Sequence, residues 1–177
     1  MTASAGVAAC SIGKDRAVVV QGTATGVAVQ IWVVQLSTGR IQWTLPNSGD
    51  IRTSVDGQYI AEVSSNQATT TIYDASGAVL RHVNGAVDAF SWDGSLAVVG
   101  NFNNGPVSVV RWRDGTVVWS GPSDSHYLGA MPEPGGQRIA VTVSDPQHPQ
   151  TGGFYPGNVY VVGPDGNAVE LLNNVVL

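Results

Sequence analysis

Three histidines, His82, His126 and His148, are the first place to look for chemistry, because imidazole titrates near neutrality and ligates metals. None pairs with another or with a carboxylate at a metal-binding spacing such as His-x-Glu or His-x-x-x-His, so no bound metal is expected. Four aspartates, Asp56, Asp93, Asp114 and Asp165, invite a carboxylate site. Each precedes Gly or sits beside it at a turn, where Asp caps local N–H groups and Gly supplies the positive-φ corner. A structural role is expected for all four. Asp165-Gly166-Asn167 lacks the ligand series of a calcium loop. There is no Gly-x-Ser-x-Gly, no P-loop and no Gly-x-Gly-x-x-Gly. Catalytic and cofactor assignments are therefore both none, and the balance leans away from an enzyme.

The aspartates belong to a repeat. Ser54-Val55-Asp56-Gly57 leads into Tyr59-Ile60-Ala61-Glu62-Val63, and Ser91-Trp92-Asp93-Gly94 leads into Leu96-Ala97-Val98-Val99. Pro134-Gly135-Gly136 before Arg138-Ile139-Ala140-Val141, and Ile12-Gly13-Lys14-Asp15 before Ala17-Val18-Val19-Val20, are looser versions. Each reads as a tight turn feeding a strand. A second turn follows about twenty residues later, at Gly39, Gly77, Gly115 and Gly166, in steps of 38, 38 and 51 residues. An insertion spanning about 145–157 accounts for the longer step. Each unit is expected to hold four strands, near 51–54, 59–64, 69–74 and 78–83 in the second. A meander of about 40 residues cannot bury both faces alone, so the units must stack.

Ser-x-Asp-Gly before an Ile-Ala or Leu-Ala strand, followed by a strand ending Ile-Tyr-Asp or Val-Arg-Trp, resembles WD40-type repeats. Thr38-Gly39 with Trp43 resembles the Thr-Gly-x-x-x-Trp element of quinoprotein-type propellers, and Gly115 with Trp119 keeps that spacing. Arg81 and Glu170 stand at the corresponding places in the other units. The resemblance implies an all-β chain: a β-propeller of four four-stranded antiparallel blades, as a closed ring or as half of a larger or dimeric propeller. A single domain over 1–177 is expected, with blades near 5–46, 47–84, 85–122 and 123–173. Residues 174–177 read as a strand stub opening a fifth unit.

Composition agrees. Charged residues are only 12% and Gly numbers 22, a poor mix for helices and a good one for strands and turns. The net charge of −5 and scattered basic residues argue against nucleic acid. No apolar run is long enough for a membrane-spanning helix. Val7-Ala8-Ala9-Cys10 looks like a lipoprotein cleavage box, but no positive segment or adequate apolar stretch precedes it, and no signal peptide is expected in the sequence as given. Cys10, the sole cysteine, aligns with Phe90 as a packed position. The Ala, Val and Gly bias suggests a bacterial source. Trp32, Trp43, Trp92, Trp112 and Trp119 fall at repeat-related places suited to packing between blades.

By the family pattern, the loops after second strands and the connections between blades share one rim. The insertion is rich in Pro and Gly yet carries aromatics, and long loops in compact domains are usually functional or disordered. His126, Tyr127, His148, Phe154 and Tyr155 are the ligand-binding candidates. The expected function is a non-catalytic binding or scaffolding module with a protein or small-ligand partner on that rim. The alternatives are a quinoprotein-like or lyase/lactonase-type propeller enzyme, and a fragment of a larger propeller completed by homo-oligomerisation through exposed blade faces.

Overall fold

The computed structural model describes residues 6–12, 15–22, 28–45, 49–100, 106–145 and 156–176. They form sixteen strands in four antiparallel sheets of four, each sheet a meander in chain order. The first sheet is β1 (Gly6–Ile12), β2 (Arg16–Gly22), β3 (Ala28–Gln35) and β4 (Arg40–Leu45). The second is β5 (Asp50–Thr53), β6 (Tyr59–Val63), β7 (Thr69–Asp74) and β8 (Val79–Asn84). The third is β9 (Ala86–Phe90), β10 (Ala97–Gly100), β11 (Val107–Arg111) and β12 (Thr116–Ser120). The fourth is β13 (Tyr127–Pro132), β14 (Ile139–Ser144), β15 (Pro156–Val162) and β16 (Ala168–Val176).

The middle strands are apolar on both faces because both faces are covered. Ile60, Ala61 and Ile72 of the second sheet are all fully buried, although neighbours along a strand point opposite ways. Three apolar layers result. Val18, Ile31 and Val33 of the first sheet meet Ile60 and Tyr73 of the second. Ala61 and Ile72 meet Ala97, Val110, Phe90 and Trp112 of the third. Val98 and Val109 meet Ile139, Val141 and Val162 of the fourth. Between sheets the first strands approach most closely, β5 to β9 and β9 to β13, which places them innermost. The fourth strands are outermost; β8, for example, alternates between exposed and half-buried residues.

The turns follow from the sequence. Asp56 Oδ1 accepts from the Ser54 hydroxyl (2.6 Å) and the Gln58 N–H (3.0 Å), and Asp93 Oδ1 accepts from Ser91 (2.7 Å) and the Ser95 N–H (3.1 Å). Ser64-Ser65-Asn66-Gln67 repeats this turn in polar form, with Gln67 at φ 57° where the others carry Gly.

Register corrects two expectations. Cys10 pairs with Val18, whereas Phe90 pairs with Ala97, the counterpart of Ala17; Ser11 therefore stands at the Phe90 position. A one-residue slip moves a side chain to the other face of the sheet. Residues 173–176 open no fifth unit. They continue β16 along β15, with Val175 opposite Gly157 and Val176 opposite Pro156. The insertion makes this possible, because β15 starts at Pro156 and so is long enough to pair with them.

Glycine substitutions separate conformation from contact. Gly39 (φ +66°) has open space where a Cβ would stand, whereas at Gly94 (φ +68°) a Cβ would lie 2.5 Å from the Tyr59 ring. Gly39→Ala is expected to cost about 1–2 kcal/mol, the usual left-handed penalty. Gly94→Ala is expected to cost at least about 1 kcal/mol more, from overpacking. Urea unfolding of both variants checks the order.

Candidate functional site

Neighbouring sheets are clasped by side chains of matching register. Trp43 stands opposite Val33, and its Nε1 donates to the carbonyl of Ala75 (3.3 Å), two residues before Gly77 in the next sheet. Arg81 stands opposite Ile72, and its Nη1 donates to the carbonyl of Arg113 (2.6 Å), two residues before Gly115. Arg thus does in the second sheet what Trp does in the first. In the fourth sheet a bulge displaced to Leu171 brings Val169, not Glu170, opposite Val161. Trp119 packs on Tyr160 and Trp112 is buried against Phe90 and Tyr59, so three of the five tryptophans fill layers between sheets. Trp32 is half-buried on the first sheet, and Trp92 is exposed in a turn.

Three carboxylates are buried or partly buried away from turns: Asp145 just after β14, Asp88 and Glu62. Asp88 is the extra residue of a β-bulge in β9, since Val98 pairs with Ala89 and Val99 with Val87. Bulges re-aim side chains. This one sets Asp88 between two other innermost strands: Arg52 Nε of β5 donates to Oδ1 (2.9 Å), and the Tyr127 hydroxyl of β13 donates to Oδ2. Burial, with Asp88 as acceptor, pushes the Tyr127 phenol well above its ordinary range.

Glu62 lies in β6, only 7% exposed, on the face turned toward the first sheet. The Tyr73 hydroxyl donates to its Oε2 (2.8 Å), while Oε1 is buried with no hydrogen-bond partner among the described residues. Burial first, then Glu62, pushes the Tyr73 phenol up to about 12. Glu62 lines a polar cleft of about 250 Å³ with Gly49, Ser64, Ser65, Thr69 and Thr71. Thr71 continues the row to His82, whose Nδ1 lies 3.2 Å from the threonine hydroxyl. Gly49 is pressed against the end of β6, where a Cβ would fall 1.8 Å from the Val63 carbonyl.

The turn aspartates act as the sequence suggests. The Ser76 hydroxyl holds Asp74 below the usual carboxylate range, and the Thr116 hydroxyl does the same for Asp114. Of the rim candidates, His126 is exposed, and its backbone is bonded both ways to Ser144. Tyr127 begins β13 and turns its hydroxyl inward to Asp88. His148, Phe154 and Tyr155 lie outside the described residues. Among the described residues no group of three His, Cys, Asp or Glu could hold a metal, and no helix is long and apolar enough to cross a membrane. Glu62, Arg52 and Asp88 were not singled out from sequence. The available signal was a charge inside a strand whose neighbours are apolar on both sides, as Glu62 is between Ala61 and Val63.

The architecture has known counterparts. The β-propeller domain of the Trilobed protease from Pyrococcus furiosus superposes with a TM-score of 0.61 at 16% identity, over 97% of this chain and 58% of that one. Hsv2p from Kluyveromyces lactis gives 0.60 at 12%, over 90% and 50%. The C-terminal WD40 domain of Sif2 gives 0.52 at 15%, over 84% and 40%. The chain folds as a WD40-like β-propeller. Its four sheets are blades, and it spans between two fifths and three fifths of the length of these three propellers. No protein-family model and no curated protein matches its sequence.

The raised Tyr73 phenol gives the propeller an alkaline limit. A raised folded value means stability that is complete below pH 10 and is lost as pH climbs through about 12. Tyr73→Phe is expected to remove this share of the loss and leave that of Tyr127. Urea midpoints measured between neutral and strongly alkaline pH check it; an unchanged profile would contradict the assignment.

Proposed function

We propose that the protein is a non-catalytic binding module whose cleft on the second blade takes a side-chain-sized, positively charged hydrogen-bond donor. The reading rests on Glu62: a carboxylate oxygen buried without a donor beside a cleft of hydroxyl-bearing residues. Leaving such a group unpaired costs about 1–3 kcal/mol or more when charged, and a cationic N–H supplies the strongest remedy. The cleft is below the roughly 300–1,000 Å³ of small-molecule sites, which favours one side chain of a protein partner over a cofactor. It borders the turn between β6 and β7. The 145–157 insertion joins the equivalent strands of the fourth blade, so both belong to the same rim, with His126 beside the insertion.

A catalytic reading, quinoprotein-like or of the lyase or lactonase kind, would draw on the innermost Arg52, Asp88 and Tyr127. These three satisfy one another across three blades, which supports a structural role for them.

Nα-acetyl-lysine methylamide, with its ε-acetylated form as neutral control, is the probe. The charged form is expected to shift the amide resonances of Ser65, Thr69 and Thr71. Glu62→Gln is expected to weaken its binding at least about tenfold, the loss of one charge-assisted bond. Absent shifts, or equal affinity in Glu62→Gln, would overturn the reading.

A further inference from the structure

We propose that two copies of the chain close into one ring, head to tail, the far face of each fourth blade covering the near face of the other copy's first blade. Blade stacking here is directional. In every internal layer, one pair from the middle strands of a blade packs on the opposite-facing pair of the next. The far pairs are Val18/Val33, Ala61/Ile72 and Val98/Val109; the near pairs are Ile60/Tyr73, Ala97/Val110 and Ile139/Val162. Register assigns one more of each kind: Ala140/Val161 on the far face of the fourth blade, and Ala17/Val34 on the near face of the first. No apolar cluster unites these two pairs among the described residues.

The fourth blade's far face is built as an interface. It is an apolar groove of about 430 Å³ lined by Met131, Ala140, Val161, Val169 and Leu171. Met131 is 71%, Val169 56% and Leu171 60% exposed, a contiguous apolar patch of the kind that marks an interaction site. Its clasp is also present. Arg16, the residue before Ala17, donates to the carbonyl of Gly57 in the next blade's first turn (3.4 Å). Arg138 precedes Ile139 at the same register, yet lies exposed on this groove, and among the described residues its side chain bonds Glu133 of its own blade. The near face of the first blade offers Val19, Trp32 and Val34, all half-buried, around Ala17.

A second copy is the occupant that continues the established layers. Unlike ends make a heterologous contact, which closes into a ring when the rotation fits and otherwise runs on as a filament. The chain spans 58%, 50% and 40% of the three propellers named above, so it supplies part of a ring of their size. Two such arcs close with two identical interfaces.

Light scattering coupled to size-exclusion chromatography of the full chain tests this, from micromolar to millimolar concentration. The expected mass is twice 18.4 kDa. Leu171→Glu and Val169→Glu alter exposed positions, so each should keep its circular dichroism and fall to the monomer mass. Val34→Glu on the first blade should do the same, with Val19→Glu as the second variant if Val34→Glu fails to fold. An equimolar mixture of Leu171→Glu and Val34→Glu keeps one intact interface and should regain the dimer mass. A wild-type monomer at all concentrations would overturn the proposal. So would a ladder of larger species, or folded first-blade variants that remain dimeric, since the latter would mean that like faces meet.

Discussion

The structure depends on apolar contact between the middle strands of successive blades. A single four-stranded blade has no interior of its own; Ile60 and Ala61, adjacent in β6, are both fully buried only because blades stand on either side. The near-continuous apolar runs in β2, β6, β10 and β14 follow from this demand, whereas the outer strands meet solvent and mix polar residues with exposed apolar ones such as Ile41, Leu80 and Val117. Arg81 and His82 on β8 also keep that outer edge from pairing with another chain.

Layering alone would let blades slide, because dispersion contact is not directional. The clasps fix the slide. Trp43 and Arg81 differ in shape and charge, yet each covers the positive-φ glycine of the next blade and donates N–H to the carbonyl two residues before it. What the first two units share at this position is a long side chain ending in a donor. That likeness is looser than a motif: Arg81 meets it in place of tryptophan, whereas the fourth unit places Val169 there, without a donor. Tyr59 plays a related part at the first turn, its ring lying against Gly94 while the Arg113 guanidinium stacks over it.

The strands of the second blade could be read to within about a residue, because Asp-Gly turns bracket runs of β-branched and apolar residues. Turn geometry is local, and the aspartates that close the turns accept from residues two to four away, as Asp56 does from Ser54, Asp93 from Ser91 and Asp74 from Ala78. Register was less legible. Counting back from the second strand matches Cys10 to Phe90, but the first hairpin is one residue tighter: Ser11 pairs with Ala17, six residues on, whereas Phe90 pairs with Ala97, seven residues on. The same limit hid the change in β16, where the displaced bulge puts Val169 in the tryptophan's place. Residues 173–176 resembled a new opening strand because the insertion that gives β15 its extra length lies elsewhere in the sequence. The functional reading was harder still. Whether a charge in a strand is satisfied depends on the neighbouring blade, and no periodicity within one blade reports it.

Asp88 and Glu62 make that last point sharp. Both are carboxylates on strands, and both accept a tyrosine hydroxyl. Asp88 also receives Arg52, so both of its oxygens are matched and a bulge holds it in place. Glu62 is the more buried of the two and has the poorer set of partners, with one oxygen matched and one not. A chain selected only for stability has simple remedies at this position, since Ile or Val would suit a strand flanked by Ala61 and Val63. The surrounding Ser64, Ser65, Thr69 and Thr71 are likewise short and polar where the rest of the layer is apolar. This buried carboxylate with spare acceptor capacity, set in a polar cleft on the second blade, is the observation on which the proposed binding role rests.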